Sequence, residues 1–93
     1  MISCESKPRL TPKARLRLDR RTERMMILFP EKGLELSKTA AEVVRLCDGR
    51  HTVTDMVARL LEIYASADRG AVEREVLEFL NALADRCLIE EVR

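Results

Sequence analysis

Between Ala14 and Asp19 the chain reads "ARLRLD", and the alternation sets Leu16 and Leu18 on one face of an extended segment with arginines on the other. The polar run "DRRTER" then reads as a turn. "MMILF", Met25 to Phe29, is apolar at every position, which in a five-residue run bounded by turns predicts a central strand covered on both faces. Pro30 fixes φ and Gly33 tolerates a reversal, so "PEKG" predicts a turn into a third strand, Gly33 to Ser37. Three strands joined in this way form an antiparallel meander with the first and third at its edges.

Beyond Ser37 the period changes from two to three and four. Ser37 is a good N-cap, and Ala40, Val43, Val44 and Cys47 follow at the spacing of one helix face, with Gly49 predicted to stop the helix as a C′ residue. Thr52 and Asp55 have capping-box spacing before a second helix, whose stripe is Val53, Met56, Val57, Leu60, Leu61 and Tyr64. Tyr64 is expected in the core. Asp68 caps a third helix that carries Val72, Val76, Phe79, Leu80 and Leu83 and ends near Arg86. Leu88 and Ile89 predict a short extended segment after it. Segregated strands and helices place the fold in the α+β class: a three-stranded meander followed by three helices packed on one face of the sheet. Met26 and Leu28 then sit on the spare face, which must meet the N-terminal segment, a second copy in a homodimer, or a ligand.

Length and composition allow one domain over residues 1–93, with residues 1–7 expected as a flexible tail. No apolar run of roughly 18 residues occurs, and "MISCESKPRL" lacks the apolar stretch of a signal peptide, so a cytoplasmic protein without a membrane segment is expected. Cys4, Cys47 and Cys87 cannot complete a disulfide framework, and no CxxC or Cys/His cluster offers a metal site. Cys47 and Cys87 are expected as small core side chains and Cys4 as part of the tail.

Candidate chemistry is sparse. His51, the sole histidine, lies in the loop "GRHTVT", and the three glycines at 33, 49 and 70 are too scattered to cradle a phosphate. Glu73, Glu75 and Glu78 fall on the outward side of the third helix. No catalytic residue, metal ligand or cofactor site is therefore expected, and the protein reads as a non-enzyme.

Two binding classes remain. Residues 1–32 carry nine Lys/Arg against four acids, and residues 33–93 carry eight against twelve. Three short helices and an extended tail can form a winged helix-turn-helix regulator that binds DNA. A reading helix has to approach phosphates, however, and the third helix sets four acids, Glu73, Glu75, Glu78 and Asp85, against Arg74 and Arg86. Nucleic acid is the weaker choice. A final strand instead offers unpaired N–H and C=O groups to an extended peptide, and the apolar stripe of the third helix can wall a groove beside it.

Resemblance strengthens that second reading. "LELSKTAAEVVRLCDGRHTVTDMVARLLEIYA", above all "RLCDG" followed by "TV" and a helix, resembles the PqqD family of pyrroloquinoline quinone biosynthesis. "PRLTPKARLRLD" and "MMILFPEKGLELS" before it and "VEREVLEFLNALADRCLIEE" after it extend the likeness over about residues 7–91. The resemblance implies a winged helix-turn-helix-like peptide-recognition domain without catalytic residues. It also implies a peptide chaperone that binds the precursor PqqA and presents it to PqqE, a radical S-adenosylmethionine enzyme that would itself hold the iron-sulfur cluster. Carried onto this chain, the peptide pairs with Gly33, Leu34, Glu35, Leu36 and Ser37 beside a wall drawn from Val76, Phe79, Leu80 and Leu83. The family's pattern has glycine near the end of the third helix where this chain has Cys87, which puts the sharpness of that helix end in question.

Overall fold

A computed structural model describes residues 1–30 and 32–92. Strands β1 (Lys7–Leu10), β2 (Arg15–Asp19), β3 (Arg24–Phe29) and β4 (Lys32–Glu35) precede helices α1 (Lys38–Arg45), α2 (Val53–Ile63) and α3 (Arg69–Asp85), and β5 (Ile89–Val92) follows them. The expected meander is present, with strand order β2-β3-β4 and both pairings antiparallel. Of the "PEKG" turn, Glu31 lies outside the described residues. The register sets Leu16, Ile27 and Leu34 side by side. Ile27 is fully buried, so this row marks the face against the helices.

Local signals place the helix starts. The Ser37 hydroxyl accepts from the Ala40 N–H, Thr52 and Asp55 form the reciprocal capping box, and the Asp68 carboxylate accepts from the Ala71 N–H at 2.9 Å. Val53, Met56, Val57 and Leu60 of α2 and Val76, Leu80 and Leu83 of α3 are buried and join Val43 and Val44 of α1 in one core.

Four expectations are corrected. Gly49 does not end α1, which has Leu46 at its C-cap; Gly49 sits farther on, at φ +80°, where its N–H donates to the Pro8 carbonyl. Tyr64 is the C-cap of α2 and is 40% exposed, because the helix leaves the core before its stripe is complete. Cys87 is exposed rather than packed in the core, since it occupies the turn after α3. The fourth correction concerns the chain's first residues.

Those residues were expected to trail, and instead they are built into the domain. β1 pairs antiparallel with β5, from Lys7 opposite Val92 to Leu10 opposite Ile89. Neither local periodicity nor a turn signal announces this ribbon, because its strands lie at opposite ends of the chain. Ahead of it, Ile2 is only 5% exposed and its N–H donates to Asn81 Oδ1 at 3.0 Å. The carbonyls of Ser6 and Cys4 accept the N–H groups of Val53 and Thr54, while the Thr52 hydroxyl takes that of Asp55. The Met56 N–H makes the first intrahelical bond, to the Thr52 carbonyl. A helix leaves its first N–H groups without intrahelical partners, and here the N-terminal segment supplies two of the missing acceptors. The spare face of the meander, with Met26 and Leu28, is thus not where the N-terminal segment goes.

Candidate functional site: the β4 edge and the hollow beside α3

β4 ends the row of strands in its sheet, so one side of its backbone has no strand partner among the described residues. Which groups face that side follows from one hydrogen bond. The Leu36 N–H donates to the Met25 carbonyl at 2.8 Å, continuing the ladder beyond β4. Backbone polar groups alternate in direction along a strand, so Leu34 and Leu36 pair inward and Gly33 and Glu35 point their N–H and C=O outward. The strand then becomes α1 with no intervening loop: Leu36 closes the ladder, Ser37 caps, and Lys38 begins the helix.

Side chains divide along the same line. Leu36 is buried and Leu34 half-buried, while Gly33, Glu35 and Ser37 are exposed. Glu35 meets Arg24 of β3 at 3.1 Å on the outer face of the sheet. Between the start of α1 and α3 lies a hollow of about 350 Å³ lined by Ser37, Ala40, Val43, Val72, Val76 and Phe79, with Glu75 at its polar side. A second hollow of about 610 Å³ opens on another side of Ser37, lined by Leu18, Met25, Leu36, Ala41 and Tyr64 among others.

Of the nine residues expected to contact a peptide, the structure gathers Ser37, Val76 and Phe79 around one hollow. Gly33 and Glu35 lie on the open edge next to Ser37 in the chain, and Leu34 and Leu36 hold that edge to the sheet. Leu80 and Leu83 are placed differently: both are buried in the core and neither lines the hollow. The apolar stripe of α3 is split, with Leu80 and Leu83 turned to the core and Phe79 to the hollow. Periodicity missed Val72, Ala40 and Val43 as lining residues, because they come from two helices whose relative placement no local pattern reports.

Two of the three thiols are held in unreactive settings. Burial pushes the Cys47 thiol up to about 12, and its Sγ rests against the Val43 carbonyl at 3.5 Å. The Cys4 thiol is also raised, first by its hydrogen bond to Glu73 Oε1 at 2.9 Å. His51 Nδ1 lies 3.0 Å from Asp48 Oδ1 in the loop before α2. Partial burial opposes ionisation of Asp48, but the hydrogen bonds from the Arg50 N–H and the His51 ring outweigh it and hold the carboxyl below its usual range. No group of three or more His, Cys, Asp or Glu among the described residues could hold a metal ion. Nor is any described helix long and apolar enough to cross a membrane.

Comparison with known proteins gives the family. The family model for coenzyme PQQ synthesis protein D (PqqD) matches residues 24–89, which include β3, β4 and all three helices. The chain belongs to the PqqD family. A relative from Rhodopseudomonas palustris (strain TIE-1), a PqqA binding protein, is 37% identical over 92 residues covering 99% of this chain and 89% of the relative. The bifunctional coenzyme PQQ synthesis protein C/D of Methylorubrum extorquens is 35% identical over 83 residues, 89% of this chain and 22% of that longer protein.

Among solved structures, the PqqD truncation of Methylobacterium extorquens PqqCD matches with a TM-score of 0.82 at 33% identity. It covers 97% of this chain and 95% of the other, and represents a functional and stand-alone recognition element for ribosomally synthesized, post-translationally modified peptides. TbiB1, solved in complex with the TbiA(beta) leader peptide, shares the fold with a TM-score of 0.76 at 21% identity, over 91% of this chain and 98% of that one. The α+β class and the three-strand, three-helix layout are therefore those of a known peptide-recognition element, as the resemblance implied.

Proposed function

We propose that the protein is a peptide chaperone of pyrroloquinoline quinone biosynthesis that binds the precursor PqqA by strand addition at β4. The observation that carries this reading is the outward N–H and C=O of Gly33 and Glu35, on a sheet edge that leads into a hollow lined by Val76 and Phe79. An extended peptide beside β4 takes those backbone groups into hydrogen bonds, and its inward side chains reach the apolar hollow. Backbone pairing gives affinity without demanding particular residues, and the hollow supplies selectivity. The relatives that bind PqqA support the choice of peptide.

The protein itself then does no chemistry. It holds PqqA extended and delivers it to PqqE, and the S-adenosylmethionine and iron-sulfur cluster belong to that partner. We place it with them in the cytoplasm. Leu80 and Leu83 act from behind the wall rather than at it, setting the position of α3. A second copy paired along the same edge would form a homodimer that competes with the peptide.

Titration of ¹⁵N-labelled protein with PqqA tests the reading. Amide shifts concentrated at residues 33–37 and along α3, saturating together, are expected. Unchanged spectra in both places, at peptide concentrations well above the protein's, would dismiss it. Repeating the titration at several protein concentrations separates peptide binding from pairing between copies.

A further inference from the structure

The outer face of the meander is the surface that neither the helices nor the N-terminal segment covers. Two cross-strand rows run over it toward the open edge: Arg15, Leu28 and Gly33 in one, Arg17, Met26 and Glu35 in the other. Leu28 is 41% exposed, a large apolar side chain partly in water. Gly33 explains how that row reaches the edge. It does not adopt a positive φ, so the backbone does not call for glycine there. A Cβ on Gly33 would stand 2.9 Å from Met26 Cε and 3.2 Å from Leu28 Cδ2, the tips of two flexible side chains that could turn aside. The two side chains lean into the room that the missing Cβ leaves, and they carry apolar surface to the rim of β4.

We propose that this rim is a second recognition surface for the precursor peptide, taking a bulky apolar side chain that stands across from Gly33 on the outer face. The inference rests on strand addition at β4 and deepens it. A strand added there sets alternate side chains on opposite faces of the sheet. One row enters the hollow beside α3, and the other must stand on the outer face. Directly opposite Gly33 that row meets no side chain from β4 itself, only Met26 and Leu28 reaching over, and an apolar group there removes both from water. Two residues along the peptide the neighbour is the Glu35–Arg24 ion pair, so the next outer side chain is polar. The peptide is thus read on both faces: apolar into the hollow, and apolar then polar on the rim.

Methyl-labelled protein (Met Cε, Leu Cδ, Val Cγ) titrated with PqqA distinguishes this from strand addition alone. The Met26 and Leu28 methyls are expected to shift in parallel with those of Val76 and with the amides of residues 33–37. Leu28→Ala should weaken binding by about threefold to tenfold, the worth of part of a leucine's apolar surface. Its melting temperature should fall only slightly, because the side chain is only partly buried. If the amides of 33–37 and the Val76 methyls respond while Met26 and Leu28 do not, and Leu28→Ala binds as the parent does, the rim is not a recognition surface and strand addition stands. If nothing responds, both fall. If the Met26 and Leu28 methyls move with protein concentration but not with peptide, the face is an interface between copies and the rim proposal is overturned.

Discussion

Cys87 sits at φ 60°, in the left-handed region that favours glycine, yet the end of α3 is sharp. The Leu88 N–H bonds the Leu83 carbonyl at 3.0 Å and the Cys87 N–H bonds the Ala84 carbonyl at 2.9 Å, the two bonds of a Schellman turn. Cysteine at this position therefore costs strain without changing the geometry. Cys87→Gly is expected to stabilise the domain by about 1 kcal/mol. In a domain of this size that raises the melting temperature by roughly 4–8 °C, which differential scanning calorimetry would detect. Asp55 offers a pH-dependent case. Its carboxyl is held below the usual range, first by the Thr52 N–H it accepts. A folded-state pKa below the unfolded one means that the stabilisation is fully present above the unfolded value of about 3.9. It is lost as pH falls through the lower folded value. Asp55→Asn should accordingly flatten the acid limb of a plot of melting temperature against pH, leaving its neutral region offset but parallel.

Among the elements, β4 is the one on which the proposed function rests, and its two backbone faces make opposite predictions. Glu35 directs its N–H to the open edge, so Glu35→Pro removes a donor the fold does not use. The folded state should persist by circular dichroism while PqqA affinity falls at least about tenfold, the loss of one charge-free backbone bond plus its neighbours' alignment. Leu36→Pro removes the donor to Met25 inside the ladder and should melt the domain. A folded Glu35→Pro protein with full affinity would mean that the peptide does not take that N–H. The edge itself was legible in the sequence, from the alternation around Leu34 and Leu36 and the N-cap signal of Ser37. The wall was legible only as a stripe on α3. Which of its residues face the hollow depends on how α1 and α2 press against α3, and that decided for Val76 and Phe79 and against Leu80 and Leu83.

At the scale of the whole molecule, the two ends of the chain close the structure. β1 and β5 form a ribbon, the Leu10 N–H reaches the Cys47 carbonyl, and Ser6 and Cys4 receive the first N–H groups of α2. Deleting residues 1–6 uncovers the space filled by Ile2 and takes two acceptors from α2. A loss of about 3 kcal/mol is expected, seen as a lower urea midpoint with little change in slope. A truncated chain as stable as the parent would show that this packing adds nothing. Arg9–Glu90, an exposed pair at 2.8 Å, joins the same two strands but contributes little, because its charges remain in water.

What the sequence determined by itself was local. Side-chain period marks β2, β3 and the three helices, and the caps Ser37, Thr52 and Asp68 act on N–H groups within three residues of themselves, so neighbours in the chain suffice to read them. Family membership was legible for the same reason, as a combination of short motifs in order. Tertiary structure alone decided the rest: the ribbon between residues about eighty apart, the exposure of Tyr64 and Cys87, and the division of one helical stripe between core and hollow. Each of these depends on which surfaces meet after the elements form, and burial is shared between segments that carry no record of one another in their local pattern.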